Sequence, residues 1–382
     1  MTVSSLSDIK DADVKGKTFL VRIDTNVSLE EGSVKSDFRL RAVLPTFEFL
    51  LERGARVVAV GHMEPSPEAS IEAVAEYYKK LFPTSFIKSC EPEHVRGHVD
   101  VLKNGEVLFL ENLRSLPYEK ENDEHFARAL ASLADVYVNE AFSVSHRAHA
   151  SVVGIPRHLP SFAGFCFEKE IRELSFSFSP ERPFVFILGG LKFKTKAPLI
   201  EKFILRSDVV FVGGALANSF FKEKGWEIGV SAFDEGVDLS GLIEKKNLFL
   251  PVDVVVENEG GASVVVEASG VSGSDNIVDI GPETMKILME KISSAQLVVW
   301  NGPMGNIEKG FTRYTHAVAE EVSRSKCYSI VGGGDTIAAV GDPGPDDRFS
   351  FISTGGGAML DFLVNETLPG IDALRKSQKD RS

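Results

Sequence analysis

The residues that could do chemistry form two sets, one in each half of the 382-residue chain. In the first half, polar and charged side chains follow short apolar runs. These are Asp24, Thr25 and Asn26, then His62, then Asn112 and Arg114, then Asn139 followed by His146, Arg147 and His149, with Arg39 between the first two groups. Arginine meets carboxylate and phosphate through a planar fork of donors. One arginine here would read as a surface charge, but Arg39, Arg114 and Arg147 at successive element ends suggest a small multi-anionic substrate. In the second half the same positions carry glycine: Gly189-Gly190, Gly213-Gly214, Gly302, residues 332–334 and residues 355–357. Glycine lets main-chain N–H groups approach phosphate oxygens. One such pair could merely make a tight turn, whereas the repeated pattern points to a bound nucleotide.

Lys192 and Lys196 follow the first glycine pair closely. Positive charge there suits phosphoryl transfer, in which oxygens gain charge in the transition state. The plain alternative is a pair of solvated surface lysines. Asp335 follows three glycines and precedes Thr336. It suits Mg²⁺, which takes one or two carboxylates plus phosphate oxygens, and it suits equally the N-cap of a helix. The standard nucleotide signatures are missing. Gly16-Lys17-Thr18 imitates the end of a P-loop, but Asp11 stands where a glycine is needed and a strand follows. The cluster at 332–334 does not continue into Gly-x-Gly-x-x-Gly, because residue 337 is Ile. No His/Cys cluster has zinc spacing.

The elements that must position these groups alternate. Residues 18–23, 55–60, 108–110, 136–138, 184–188, 209–212, 297–300 and 329–331 read as buried strands. Residues 39–53 read as one helix with Leu40, Val43, Leu44, Phe47, Leu50 and Leu51 on one face. Strands spaced by helices imply parallel βαβ units, whose ligands sit beyond the carboxyl ends of the strands. The different strand-end chemistry of the two halves implies two lobes with different ligands and a boundary within 163–180.

Composition excludes several classes. Apolar residues make up 43% and charged residues 25%, as in globular proteins. No apolar run reaches the length of a membrane span, and residues 1–15 do not form a signal peptide. The net charge of −13 argues against a nucleic-acid partner while leaving room for local anion sites. Cys90, Cys166 and Cys327 fit reduced thiols and a cytoplasmic setting.

The same residues resemble the motifs of phosphoglycerate kinases. Residues 21–27 (VRIDTNV), 39–46 (RLRAVLPT), 111–114 (ENLR), 139–142 (NEAF) and 146–151 (HRAHAS) follow the family's order. So do 187–192 (ILGGLK), 213–218 (GGALAN), 250–253 (LPVD), 300–305 (WNGPMG), 332–336 (GGGDT) and 353–358 (STGGGA). The resemblance runs from residue 19 to about 372.

It implies an α/β fold of two Rossmann-like lobes with parallel sheets, joined by a helix and hinge. The lobes would be 1–165, with a tail 366–382 packing back on it, and 181–365, with 166–180 between. It implies transfer of a phosphoryl group between 1,3-bisphosphoglycerate with ADP and 3-phosphoglycerate with ATP. Arg39, Lys192 and Lys196 would serve the chemical step. Asp24, Thr25, Asn26, Arg39, His62, Arg114 and Arg147 would hold the phosphoglycerate. Lys196, Gly213, Gly214, Asn301, Pro303, Glu308, Gly333, Gly334, Asp335 and Thr336 would hold the nucleotide, with Asp335 on Mg²⁺. A cytoplasmic monomer without nucleic-acid or membrane partners is expected. The other reading is a catalytically weak nucleotide-binding regulator or scaffold.

The chain also departs from the family pattern. His62-Met63-Glu64-Pro65 stands for the usual His-Leu-Gly-Arg-Pro, so an anion-binding arginine is lost and an acid stands nearby. Thr195 replaces an aspartate before Lys196, Glu140 an aspartate after Asn139, and Leu116 a common histidine. The lost arginine is expected to weaken 3-phosphoglycerate binding about ten- to a hundredfold, with Glu64 adding repulsion.

Overall fold

The computed structural model describes residues 3–64, 69–191, 193–236, 238–340 and 348–379, side chains of 193–195 and 379 excepted. The chain divides into two compact units, Met1–Arg172 with Asn365–Ser382, and Glu173–Val364.

The first unit is built on a six-stranded parallel sheet. Its strands are β1 (Thr18–Arg22), β2 (Arg56–Val60), β3 (Thr84–Ile87), β4 (Val107–Leu110), β5 (Val136–Asn139) and β6 (Ser161–Ala163), in the order β3-β4-β2-β1-β5-β6. The chain lays β2, β3 and β4 on one side of β1, with β4 inserted between the other two, then returns to add β5 on the other side. The crevice between β1 and β5 is therefore the topological switch point, where ligands of such sheets bind. The predicted helix over 39–53 is split into α1 (Phe38–Arg41) and α2 (Leu44–Glu52). Pro45 lacks an N–H and its ring clashes with the carbonyl four residues earlier, which breaks the run. Its apolar face is nevertheless the one expected: Leu40, Val43, Phe47 and Leu50 are fully buried against Val21, Val57 and Phe109. Each such burial contributes about 1.5–3 kcal/mol.

Helix α3 (Phe165–Ser175) spans the division between the units, and α4 (Pro369–Lys379) returns to the first unit. There the Ser377 hydroxyl donates to the Leu159 carbonyl at 2.9 Å, and the Gly370 N–H donates to the Ser145 carbonyl at 2.9 Å.

The second unit repeats the plan. Its parallel sheet contains β7 (Phe184–Leu188), β8 (Val209–Val212), β9 (Leu248–Phe249), β10 (Leu297–Asn301), β11 (Tyr328–Gly332) and β12 (Phe351–Ile352), in the order β9-β8-β7-β10-β11-β12. Its switch point lies between β7 and β10. Beside it stands an antiparallel sheet absent from the sequence expectation, made of Asp253–Glu257 flanked by Ser263–Glu267 and Asn276–Ile280. Its small core of Phe221, Ile228, Val254 and Val256 is separate from the main one around Ile187 and Trp300. Among the described residues no helix is long and apolar enough to cross a membrane.

Candidate active site

At the switch point of the first unit the sheet ends in a buried cation. Arg22, the last residue of β1, is fully buried. Its Nε donates to the Ser151 hydroxyl at 2.9 Å, its Nη1 to the Ile23 carbonyl, and its Nη2 lies 3.1 Å from Nδ1 of His62. Ser151 passes the charge on: its hydroxyl donates to Glu119 Oε1 at 2.6 Å, and its N–H to Oε2 at 2.9 Å. Arginine can only donate, so His62 accepts at Nδ1 and carries its own proton on Nε2. Burial first, then the positive charges of Arg22, Arg114 and Arg147, push the His62 pKa far down, so the imidazole is neutral.

Asp24, just beyond β1, holds the next arginine. Its Oδ2 lies 3.2 Å from Arg39 Nη1, which also donates to the Asn26 carbonyl at 2.9 Å. The carboxylate accepts in addition from the Ser143 hydroxyl at 2.6 Å and the Asn26 N–H at 3.0 Å. Thr25 is fully buried and its hydroxyl donates to the His62 carbonyl at 2.6 Å, tying the ends of β1 and β2 together. Arg41 lies elsewhere, 2.9 Å from Asp37.

Arg114 follows β4, and its side chain is 2% exposed. Its Nη1 donates to Glu64 Oε1, and Arg147 Nη1 lies 3.8 Å from the same oxygen. Arg114 Nε and Nη2 are buried and have no partner among the described residues. Glu64 was expected to stand near the site and repel an anionic substrate. It pairs with two of the arginines assigned to that substrate.

Glu140 serves the fold. Its Oε2 accepts from the Phe167 N–H at 2.9 Å and its Oε1 from Cys166 N–H at 3.3 Å and the Thr46 hydroxyl, so it caps α3. Burial pushes its pKa up to about 7, against the lowering effect of these donors.

In the second unit the switch point is made of main chain. The turns after β7 and β10 interlock: Gly189 N–H donates to the Asn301 carbonyl at 2.9 Å, and Gly190 N–H to the Pro303 carbonyl at 2.9 Å. A Cβ on Gly302, which sits at φ 98, would lie 2.2 Å from the Gly189 oxygen, and one on Gly189 would lie 2.1 Å from the Pro303 oxygen. No larger residue fits either place.

Lys196 reaches this crossing from the helix Phe193–Phe203 and donates to the Gly189 carbonyl at 2.6 Å. It is 8% exposed, so the reading of a solvated surface lysine does not hold for it. Burial lowers its pKa to about 8, opposed by the charge of Asp335. Lys192 lies outside the described residues.

Beside the crossing opens a cavity of about 300 Å³, at the lower end for small-molecule sites. Gly190, Gly214, Pro303, Glu308 and Asp335 line its polar part, and Phe221, Pro251, Val254 and Ile277 its apolar part. Lys196, Gly213, Asn301, Gly333, Gly334 and Thr336 do not line it. Several of them form the shelf next to it instead. Thr336 Oγ1 accepts from the Gly302 N–H at 2.7 Å, and a Cβ on Gly333 would lie 3.1 Å from Asn301 Nδ2.

Sequence reasoning missed three participants. Arg22 and Glu119 read as ordinary charges, although a charged residue ending a buried strand was the available signal. Asp279 also lines the cavity, and burial raises its pKa to about 7 despite N–H bonds from Ile280 and Tyr314.

The family model for phosphoglycerate kinase matches residues 9–366. Among curated relatives, the phosphoglycerate kinase of Moorella thermoacetica is 42% identical, with 96% of this chain and 98% of that protein covered. That of Chloroflexus aggregans is 40% identical over 97% and 99% of the two chains. Solved phosphoglycerate kinase structures also superpose. The one from Coxiella burnetii gives a TM-score of 0.84 at 31% identity, covering 99% of this chain and 100% of that one. The one from Pyrococcus horikoshii gives 0.85 at 32%, covering 98% and 99%. These relatives support the kinase reading and lend nothing to a regulator or scaffold. The chain belongs to the phosphoglycerate kinase family, the phosphotransferases that interconvert 1,3-bisphosphoglycerate with ADP and 3-phosphoglycerate with ATP.

Proposed function

We propose that the two units divide this reaction, the first holding the phosphoglycerate and the second the nucleotide. The observation that carries the first half is Arg114, whose Nε and Nη2 are buried and unpartnered among the described residues. Leaving such donors unsatisfied is costly, and the oxygens of an anionic substrate would satisfy them. Arg39, Arg147, Asn26 and neutral His62 complete that site. His62, proton on Nε2, would donate without adding charge, while Asp24 keeps Arg39 in place.

In the second unit the cavity beside Asp335 would take the nucleotide. Its apolar part suits the base, Glu308 the ribose hydroxyls, and the shelf of Gly333, Gly334 and Thr336 the phosphates. Lys196 would move from the Gly189 carbonyl to the transferred phosphoryl group. It would stabilise charge that grows in a direct, in-line transfer without a phosphoenzyme; Arg39 would be the first unit's residue for the chemical step. Lys192 would share the role of Lys196.

Asp335 fits Mg²⁺. Its carboxylate lines the cavity and acts on the charge of Lys196, and among the described residues no group of three or more His, Cys, Asp or Glu could cage a metal. Mg²⁺ carried on the nucleotide needs only one or two carboxylates. When bound, it neutralises phosphate charge. We further read the enzyme as a cytoplasmic monomer, a setting that its thiols suit.

Backbone amide shifts recorded during separate titrations test the division. 3-Phosphoglycerate should perturb residues within 1–172 and MgADP residues within 173–364. Perturbation by both ligands confined to one unit would refute it.

A further inference from the structure

Glu64 has a place in the fold that its sequence position does not announce. Its N–H donates to Asn26 Oδ1 at 3.1 Å. The residue before it is clamped by buried Asn112, which accepts from the Met63 N–H at 3.2 Å and donates to the Met63 carbonyl at 2.9 Å. The main chain is thus held so that the carboxylate meets Arg114 Nη1, with Arg147 Nη1 at 3.8 Å from the same oxygen. The two partners are unlike. The Arg114 side chain is 2% exposed and the Glu64 side chain 43%. The cation is fixed inside the protein, and the acid covers it from the solvent side. Burial lowers the Arg114 pKa, and Glu64 is the first group acting against that.

We propose that Glu64 is a resident counter-ion: it occupies the phosphate position on Arg114 and Arg147 when no substrate is bound, and substrate must displace it. The proposal rests on the reading of these arginines as phosphoglycerate ligands. Carboxylate and phosphate compete for the same arginine donors. A phosphate brings more charge and more oxygens, so it also reaches Nε and Nη2, which Glu64 leaves without partners. The half-exposed carboxylate then turns into water at little cost. A singly charged or smaller anion gains less and displaces it less readily. The site so covered selects for a strongly anionic ligand and gives up affinity in exchange.

Calorimetric titration of the full-length enzyme tests this with Glu64→Gln, which keeps the shape and removes the charge, and Glu64→Ala, which removes both. Each should bind 3-phosphoglycerate about five- to fiftyfold more tightly than the parent, since the broken contact is a charge-assisted bond. Inorganic sulfate should gain affinity as well, and ADP binding should stay within about twofold. Unchanged or weaker 3-phosphoglycerate binding in both variants, with thermal melts like the parent's, would overturn the proposal. Arg114→Ala separates the two levels. If it leaves 3-phosphoglycerate affinity unchanged, the site reading itself fails. If it weakens binding while the Glu64 variants gain nothing, only the counter-ion fails.

Discussion

The two units use one sheet plan and solve anion binding in opposite ways. The first puts side chains at its switch point: Arg22, Arg39 and Arg114, with Asp24 and Glu64 paired to two of them and Glu119 bonded through Ser151 to the third. The second puts main chain there, with Gly189, Gly302 and Pro303 in contact and one buried lysine above them. Side-chain charge can be traded, moved or covered by single substitutions, as Glu64 illustrates. A main-chain cradle is fixed by the packing of two turns and tolerates almost none. Departures from the family pattern should therefore fall on side chains rather than on the main-chain cradle: the replacement near His62 does so, and Thr195, the departure in the second unit, leaves the glycines untouched.

The sharpest way to break this contrast is to remove the buried lysine of the second site. Lys196→Ala should lower kcat about a hundred- to a thousandfold, the usual cost of one transition-state donor, with ADP affinity changed only a few fold. If ADP affinity falls while kcat holds, the lysine merely binds, and the two units differ less than argued.

A smaller effect comes from pH. Lys196 has a pKa near 8 in the fold, against 10.5 for a free lysine. In the absence of nucleotide it loses its charge as pH rises through about 8, so kcat/KM for ADP should fall there. Lys196→Arg, charged throughout this range, should remove that alkaline limb. Stability moves the other way. Between about pH 8 and 10.5 the unfolded chain binds more protons at this site, so its contribution to stability rises with pH. A flat kcat/KM profile from pH 7 to 9 would contradict the assignment.

The smallest effect compares the units acid for acid. Glu140 in the first and Asp279 in the second both have pKa values raised to about 7. A raised carboxyl keeps its proton in the fold while the unfolded chain has already lost it. Stability therefore falls as pH rises from about 4 to 7, and levels off above that. Glu140→Gln and Asp279→Asn should each flatten part of the decline in Tm between pH 5 and 8, by a few degrees, since about 1 kcal/mol moves Tm 2–4 °C at this size. A decline equally steep in both variants would mean that other groups carry it.

Much of this was legible in the residues. The central strands were readable from their apolar runs, because a strand buried on both faces admits little else. The split after Arg41 was missed in favour of one helix over 39–53, although Pro45, which cannot sit inside a helix turn, was the signal for it. The outer strands β3, β6, β9 and β12 were not readable, because short and half-buried segments carry no clear period. The antiparallel strands hid in a stretch where Val254, Val255 and Val256 resemble any buried run.

At the sites, the types and spacing of Arg39, Arg114, Arg147 and Asp335 suggested the chemistry. The burial of Lys196 and the pairing of Glu64 with Arg114 did not show, because both depend on where a side chain turns in three dimensions. The sign expected for Glu64 toward its neighbours was for that reason incomplete. The apolar wall of Phe221, Val254 and Ile277 read simply as core.

The return of α4 to the first unit has a consequence for biosynthesis. The first unit is discontinuous, and its last helix is translated only after the entire second unit. Its sheet, with all six strands made early, must wait on the ribosome for Gly370 and Ser377 to supply their contacts at Ser145 and Leu159. At about 5–20 residues per second that delay is on the order of ten seconds or more. During it, the surface later covered by Ile371 and Leu374, both buried in the finished protein, stays open. The half of the molecule made first is thus the half completed last, and chaperone contact in the cell should concentrate there.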